Sequence, residues 1–295
     1  MKQLNYDALV EAVNEVLSQY DMLLTLRQIY YRLVAKLLIP NTVSSYKVLS
    51  HQLVKAREKG EVDASRIEDR SRRVLGIGDW GYDDFDGFID DQIETLKESW
   101  EYWARPLWET QPNQVLVALE KDALSRIFVD IADGFHVHVF PTRGYSSYSY
   151  VNQMAEKCNR EKPTIVLYFG DLDPSGRDIE RDLGERLKRY GAEDFEVIRV
   201  ALTREQIVDY DLPPRPEDTA TLAKLERDPR TKTYGMQYAC ELDALEPSTL
   251  QSLIRQGIES LIDREEWNKR LTEINGEKAK LEEKLGKVRV TFEEE

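Results

Sequence analysis

The sequence is poor in the residues that bind zinc or form disulfides. Its 295 residues include only two cysteines, Cys158 and Cys240, and three histidines. These are too few and too widely spaced for a CxxC zinc half-site or a disulfide framework. Metal chemistry in this chain should therefore depend on carboxylates, which favour hard ions such as Mg²⁺ or Mn²⁺. Catalytic acids and bases must come from Asp, Glu, Tyr or Lys side chains.

Long hydrophobic runs are also missing. The longest apolar stretch, at 164–169, has the length of a strand, far short of the roughly 20 residues that cross a bilayer. The start of the sequence, MKQLNYDAL, shows no signal-peptide apolar region, and no Walker A sequence is present. We therefore expect a cytoplasmic protein of about two domains that has no membrane partner and no ATP motor of its own.

Positive charge is scarce, and it is unevenly distributed. The chain has a formal net charge of -14, yet residues 1–75 hold 12 Lys and Arg against 9 Asp and Glu, a balance of +3 that leaves -17 for the rest. An N-terminal balance of this sign favours phosphate contacts, although a solvated helix face explains it equally well. The basic residues concerned are Lys47, Lys55, Arg57, Lys59, Arg66, Arg70, Arg72 and Arg73.

Three short helices are predicted within residues 1–75, which we call the N-terminal module. Apolar side chains recur at helical spacing over 6–20. A capping-box signature at Thr25 predicts a second helix that begins at 26 and ends before Pro40. A third helix is expected from 44 to 59. A basic third helix of this kind is typical of a helix-turn-helix or winged-helix module that binds DNA.

Residues 76–112 form an acidic, aromatic connector that leads into a helix. Its GIGDWG sequence formally matches a dinucleotide-binding pattern, but the polar setting favours a turn. Apolar residues in this segment recur at alternating spacings of four and three residues. This spacing predicts a helix whose apolar face packs on a neighbouring domain. This apolar stripe consists of Ile89, Ile93, Leu96, Trp100, Trp103 and Leu107.

Strand and helix patterns alternate between residues 113 and 212. This alternation predicts an α/β domain with a parallel sheet. The expected strands are 115–119, 136–140, 164–170 and 195–202, and the expected helices are 122–133, 147–160, 176–190 and 203–210.

Residues 213–295 are predicted to be mainly helical, with Ser248 capping a helix that reaches about Asp263. Heptad spacing then indicates either a short coiled coil or a terminal helix packed within the chain. The heptad positions are Trp267, Leu271, Ile274, Leu281, Leu285 and Val288, with Lys278 in the one apolar gap.

Three acidic residues follow two of the predicted strands directly. Glu120 comes after the first strand, and Asp171 and Asp173 come after the third. Catalytic groups collect at the carboxyl ends of parallel strands, so we expect these carboxylates to converge. Without Lys or Arg between them they would repel one another unless a cation such as Mg²⁺ neutralised them. In the alternative interpretation, Asp173 merely starts a helix and Glu120 pairs with Lys121.

Three motifs in this region resemble the toprim domain of topoisomerases, primases and several nucleases. They are EKDAL (120–124), RGYSS (143–147) and GDLDPSG (170–176), each placed after a predicted strand. The resemblance covers about residues 113–205. It implies that Glu120, Asp171 and Asp173 bind catalytic Mg²⁺ or Mn²⁺.

The N-terminal module carries a second resemblance. TLRQIYYRLV (25–34) is similar to the winged-helix domain of the topoisomerase VI A subunit and the related meiotic double-strand-break protein. The resemblance implies that Tyr31 attacks the phosphodiester with help from Arg27 and forms a 5′-phosphotyrosyl link. It also implies a homodimer, in which the tyrosine of one subunit works with the metal of the other, and a separate ATPase subunit.

Several alternatives stay open at the level of the sequence. Tyr31 is equally well interpreted as a half-buried packing residue, or Tyr30 takes its role. Arg143 either contacts DNA together with Lys47, Lys55, Arg57 and Lys59 or belongs to a simple turn. Glu241 and Asp243 join the acidic site or start a helix. The expected function is thus tyrosine-dependent DNA cleavage, and the alternatives are a hydrolytic toprim nuclease that uses water and a non-catalytic nucleic-acid adaptor.

Overall fold

The computed structural model divides the chain into two compact units. It describes residues 5–68, 81–82, 84–142, 144, 146–158, 161–216, 226–235 and 239–289. The first, here called the sheet unit, comprises Met1–Arg72 and Asn113–Leu261. The second, the helical unit, comprises Arg73–Pro112 and Ile262–Glu295. The N-terminal module, up to Arg72, thus shares one unit with the α/β region.

Three helices build the N-terminal module, as the apolar spacing predicts. They are α1 (Tyr6–Ser18), α2 (Leu26–Ala35) and α3 (Val43–Glu58). The predicted capping box at Thr25 is confirmed, because its hydroxyl accepts from the Gln28 N–H while the Gln28 side chain accepts from the Thr25 N–H. Helix α2 ends at Ala35, earlier than Pro40 requires, and Leu37 follows with a positive φ of 56°.

Two short strands complete the described part of this module. Strand β1 (Leu24–Thr25) pairs in parallel with β2 (Ile67–Glu68) and so joins the entry of α2 to the segment after α3. The module buries one face of α2, including Tyr30 and Tyr31, both with no exposed surface. Arg70, Arg72, Arg73 and most of the GIGDWG sequence lie outside the described residues.

A four-stranded parallel sheet forms the centre of the sheet unit. Its strands are β3 (Gln114–Leu119), β4 (His138–Pro141), β5 (Thr164–Phe169) and β6 (Phe195–Ala201), in the order β4-β3-β5-β6. The predicted α/β class with a parallel sheet is confirmed. Strand order reverses between β3 and β5, which places a crevice at their carboxyl ends.

Helices cover both faces of this sheet. The helices of the sheet unit beyond the N-terminal module are α5 (Ser125–Ala132), α6 (Tyr148–Lys157), α7 (Pro174–Arg189), α8 (Arg204–Asp209), α9 (Pro229–Tyr234) and α10 (Pro247–Glu259). Side chains of α6 and α7 share a core with alternate strand residues such as Leu116 and Val166. On the other face, the Phe128 ring of α5 meets Phe169 at 4.9 Å and Gly257 of α10 lies against Leu167. The sheet is thus the middle layer of three.

The prediction that Ser248 caps α10 is wrong by two residues. Glu246 is the capping residue, and its carboxylate accepts from the Thr249 N–H at 3.0 Å. Pro247 then occupies the first helical position, where its missing N–H costs nothing. The Pro residue, rather than the serine, marks this helix start.

Two helices define the helical unit, α4 (Phe85–Glu98) and α11 (Arg264–Leu285). The predicted helix does not extend along the whole apolar stripe, because α4 ends at Glu98 and 3-10 turns follow at Ser99–Tyr102 and Leu107–Thr110. Pro106 disfavours helical geometry in the residue before it, so the stripe cannot continue as one helix.

The predicted heptad pattern is only partly buried in α11. Trp267 and Ile274 are buried, Leu271 is 37% exposed, and Val288 lies beyond the end of the helix. Trp267 packs edge-to-face on Trp108 of the same unit at 5.5 Å. The pattern therefore reflects packing within the chain. In the described ranges no helix combines the length and apolar character that crossing a membrane demands.

One turn imposes a strict steric demand that can be tested. A Cβ on Gly176, at the start of α7, would lie 2.3 Å from the Asp171 carbonyl oxygen, whereas a Cβ on Gly184 of the same helix would approach nothing closer than 3.9 Å. We expect Gly176→Ala to lower the free energy of unfolding by about 1–3 kcal/mol. The matched control Gly184→Ala should raise it by about 0.5–1 kcal/mol, since alanine is the better helix former. Urea unfolding measures both, and equal effects would contradict the steric argument.

Candidate active site

Glu120 and Asp171 meet at the carboxyl ends of β3 and β5. The Glu120 N–H donates to the Phe169 carbonyl at 2.9 Å, and the Asp171 N–H donates to Glu120 Oε2 at the same distance. Both carboxylates are thus fixed by the parallel register of the two strands. The structure brings these two predicted residues together.

A distant segment, CELDAL (240–245), adds two further carboxylates. Cys240 and Leu172 form an isolated antiparallel bridge, with N–H to carbonyl distances of 3.0 and 2.9 Å. The Leu242 N–H donates to Asp171 Oδ1 at 2.8 Å. Glu241 and Asp243, which flank Leu242, are 5% and 3% exposed. They belong to the acidic cluster, and neither caps an α-helix.

Lys121 lies between three of these carboxylates. Its Nζ is 2.6 Å from Asp243 Oδ2, 3.1 Å from Asp171 Oδ1 and 3.8 Å from Glu241 Oε2. The expectation that no basic side chain separates the acids is therefore wrong. The alternative pairing of Lys121 with its neighbour Glu120 is not the one found among these ion pairs, because the lysine reaches across to other segments. Burial disfavours its charge, but the three carboxylates outweigh that effect and raise the pKa of Lys121 above its usual range.

Asp173 follows the simpler of its two interpretations, that of a helix start. It caps α7, with Oδ1 accepting from the Gly176 N–H at 2.6 Å. Its other oxygen, Oδ2, accepts from Arg215 at 2.9 Å. Each carboxylate oxygen thus has one partner, and Asp173 both starts a helix and pairs with an arginine.

Tyr31 and Arg27 of α2 reach the same cluster. The Tyr31 hydroxyl donates to Glu241 Oε2 at 3.1 Å, and Arg27 Nε lies 3.0 Å from that oxygen. Burial and the adjacent carboxylate raise the pKa of Tyr31 well above its usual range. The Tyr30 hydroxyl instead donates to Asn41 Oδ1 at 3.0 Å. Only Tyr31 of this pair hydrogen-bonds to one of the acids.

Further polar contacts hold α2 against CELDAL. The Thr25 hydroxyl donates to Asp243 Oδ1 at 3.3 Å, and the Arg32 guanidinium donates to the Ala244 carbonyl. Thr25 thereby caps α2 and contacts the acidic cluster at once. The N-terminal module is consequently a structural part of this site.

The cluster as a whole carries an excess of negative charge. Its five carboxylates are Glu120, Asp171, Asp173, Glu241 and Asp243, and its three basic groups are Arg27, Lys121 and Arg215. The formal balance is therefore -2 when all are ionised. Burial, followed by repulsion from Asp171, raises the pKa of Glu120 to about 7. Burial likewise raises the pKa of Asp171 to about 6, against the opposing effect of Lys121.

The donor set fits a divalent cation in part. Among the described residues, no group of three or more His, Cys, Asp or Glu side chains is arranged as a metal site. Of the predicted trio, Asp173 has the strongest competing partners, because one oxygen caps α7 and the other accepts from Arg215. Glu120 and Asp171 do fit one ion, since they are adjacent carboxylates whose mutual repulsion a cation would relieve. A single divalent charge would also neutralise the -2 balance.

Arg199 of β6 fixes the turn that carries these acids, and sequence reasoning missed it. Its side chain is 7% exposed, and Nε lies 2.7 Å from Glu180 Oε2. The other guanidinium nitrogens donate at 3.1–3.2 Å to the carbonyls of Gly170, Asp171, Gly176 and Leu202. The available signal was an arginine between the apolar residues Ile198 and Val200 of this strand.

The basic residues proposed to contact DNA form a stripe on α3. Lys55 and Lys59 are four residues apart, Lys47 lies two turns earlier on α3, and all three side chains are exposed, with Lys59 directly after the helix end. Arg57 is half-buried, and Lys59 lies 3.6 Å from Glu61. We call Lys47, Lys55 and Lys59 the basic stripe. Arg143 lies outside the described residues.

Comparison with known proteins does not assign the chain to a family. No family model matches the chain, and no curated protein matches its sequence. The interpretation of the site therefore depends on its residues and their chemistry.

The raised pKa of Glu120 predicts how stability depends on pH. Because the folded protein holds this proton more tightly than the unfolded chain, stability should decline as pH rises from about 4.5 to about 7. Glu120→Gln removes that decline. Without divalent ions, the variant should gain about 3 kcal/mol over the wild type at pH 8 and show little difference at pH 4.

Denaturant unfolding at the two pH values measures this difference, with EDTA present. The exposed residue Glu193 provides a control, and Glu193→Gln should keep the wild-type decline in stability because it retains Glu120. An equal effect of Glu120→Gln at both pH values would contradict the assignment.

Proposed function

We propose that this protein is a Mg²⁺-dependent DNA-cleaving enzyme that combines a winged-helix-like module with a toprim-like domain. The observation that carries the proposal is the contact between the Tyr31 hydroxyl and Glu241, beside Arg27 and the acids of the strand turns. A hydroxyl hydrogen-bonded to a carboxylate is the arrangement of a nucleophile and its base. A phosphodiester is the substrate that this arrangement and the basic stripe favour.

The proposed reaction is a transesterification. Glu241 accepts the Tyr31 proton as the phenolic oxygen attacks the phosphorus. The new O–P bond forms as the bond from phosphorus to the 3′ oxygen breaks, so the products are a 5′-phosphotyrosyl link and a 3′-hydroxyl end. Arg27 and Lys121 supply positive charge beside the phosphate while negative charge develops on it.

Glu120 and Asp171 are the residues that would hold Mg²⁺ or Mn²⁺. When bound, the ion would stabilise negative charge on the phosphoryl group and on the leaving oxygen. Asp173 serves this pair indirectly, because as the cap of α7 it fixes the turn that carries Asp171. Its partner Arg215 keeps it neutralised.

The resemblance further implies a homodimer and a separate ATPase subunit, and we retain both as proposals. Because Tyr31 reaches Glu241 of its own chain, each subunit of such a dimer would carry its own nucleophile, base and acids. Two subunits would then cut the two strands of a duplex. The basic stripe would hold the DNA backbone without reading its sequence.

A hydrolytic nuclease is the second candidate, and the burial of Tyr31 favours it. The tyrosine has no exposed surface, so a phosphate reaches it only after α2 separates from CELDAL. Water, by contrast, needs no such separation. In this candidate Tyr31 is structural and the two metal-binding carboxylates activate water.

Tyr31→Phe distinguishes the two candidates. If Tyr31 attacks, the variant should form no covalent protein-DNA complex, because it lacks the reacting oxygen while keeping the packing of the ring. The measurement is a denaturing gel of labelled DNA incubated with the protein and Mg²⁺. Tyr30→Phe is the matched control and should still form the complex.

Asp171→Ala should abolish cleavage under either candidate. Full cleavage by Tyr31→Phe, with ends that carry no protein, would replace the transesterase with the nuclease. Cleavage by neither wild type nor variants would contradict both.

The basic stripe predicts how DNA binding depends on salt. Reversing two charges, as in Lys47→Glu with Lys55→Glu, should weaken binding to all sequences. Removing one lysine–phosphate interaction should flatten the slope of log affinity against log salt by about 0.9. Fluorescence anisotropy at several salt concentrations measures both quantities.

The matched control reverses two exposed lysines away from the stripe, Lys157 and Lys188. It changes the net charge equally and should leave the salt slope unchanged. An identical weakening in both double variants would assign the effect to net charge rather than to the stripe.

A further inference from the structure

Lys121 occupies a position that resembles that of a bound cation. Its side chain is 21% exposed, while those of Asp171, Glu241 and Asp243 are 10%, 7% and 3% exposed. One oxygen of each carboxylate lies within 3.8 Å of the single Nζ atom. Three anionic oxygens thus converge on one point, and that point holds the end of a flexible side chain.

The surrounding carboxylates explain why the group at the position of Lys121 Nζ must be positively charged. Without Lys121, the five carboxylates of the cluster would face only Arg27 and Arg215, and the formal balance would change from -2 to -3. Several unpaired buried carboxylates are costly in the folded state. Oxygen ligands from carboxylates are also what Mg²⁺, Mn²⁺ and Ca²⁺ prefer, at separations of roughly 2.0–2.6 Å. The Asp243 oxygen is already within this range at 2.6 Å, whereas the Asp171 and Glu241 oxygens, at 3.1 and 3.8 Å, would have to move inward.

We infer that Lys121 is a built-in counter-cation that occupies what would otherwise be a second divalent-ion site, formed by Asp171, Glu241 and Asp243. The lysine thereby limits the cluster to one exchangeable ion. The inference rests on the proposed function in one respect, that the first ion lies at Glu120 and Asp171. It does not depend on whether the protein cleaves DNA.

A positive charge attached to the chain differs from a bound ion in one respect. It is present at every metal concentration, so Asp243 and Glu241 keep a cationic neighbour when divalent ions are scarce. Lys121 is also adjacent in sequence to Glu120, and the end of β3 therefore fixes both the carboxylate for the first ion and the ammonium that replaces the second.

The experiment counts Mn²⁺ ions bound by the full chain, with electron paramagnetic resonance of free Mn²⁺ and calorimetry at one pH and ionic strength. Lys121→Met removes the ammonium and keeps the length of the side chain. It should bind one Mn²⁺ more than the wild type and should be stabilised more strongly by Mn²⁺ in thermal unfolding. Lys121→Arg is the matched control that keeps the charge, and it should gain no ion.

Double variants locate the ion that is gained. Adding Asp243→Asn to Lys121→Met should abolish the gain, whereas adding Glu120→Gln should leave it. If the wild type binds no Mn²⁺ and Lys121→Met binds one that depends on Asp243, the inference on Lys121 stands while the proposed first site fails. Equal numbers of ions in wild type and Lys121→Met would overturn the inference. It is also overturned if Lys121→Met stays unfolded with Mn²⁺ present, because a divalent ion then does not replace the ammonium.

Discussion

The neutralisation of buried carboxylates at one edge of the sheet is the constraint on which the rest of the structure depends. Carboxylates taken from water are tolerated only when paired or hydrogen-bonded. Each acid of the cluster satisfies this requirement differently. Asp173 has an arginine and a helix cap, Glu241 has Arg27, and Asp243 has Lys121. Glu120 accepts a hydrogen bond from the Asp171 N–H, and its burial and repulsion from Asp171 raise its pKa.

These partners come from distant parts of the chain. The N-terminal module supplies Arg27, the end of β3 supplies Lys121, and the segment after β6 supplies Arg215. Satisfying the acids therefore requires that all three segments pack at one edge. Arg199 contributes in a different way, because it binds backbone carbonyls and so fixes the turn itself. The chemistry proposed for the site thus uses groups that the fold needs for its own stability.

The sequence predicts the sheet and the meeting of two acids, because both follow from local patterns. Strand and helix alternation is visible along the chain, and parallel topology then places Glu120 beside Asp171 at adjacent strand ends. The role of CELDAL is not predictable in this way. Its position depends on contacts between distant segments, such as the bridge between Cys240 and Leu172, which lie about 70 residues apart and leave no periodic signal.

The structure also differs from the sequence-based predictions where one type of residue can serve two purposes. An aspartate after a strand is suited to bind metal or to cap a helix, and the contact of Asp173 with Arg215 leaves no local pattern in the sequence. Sequence adjacency suggests that Lys121 pairs with Glu120, but the end of β3 directs the lysine across to Asp243. Apolar spacing likewise extends past Glu98, where α4 ends, because periodicity carries no information about the proline that follows.

The contact between α2 and CELDAL also bears on how far the protein can be dissected. A fragment that begins at residue 113 would keep the sheet but lose Arg27, Thr25 and Tyr31, three of the groups that contact Glu241 and Asp243. Its acids would then be exposed to solvent with one fewer cation. The helices at the start of the chain are therefore part of the same folded unit as the sheet. The acidic cluster keeps all its partners only when these helices are present.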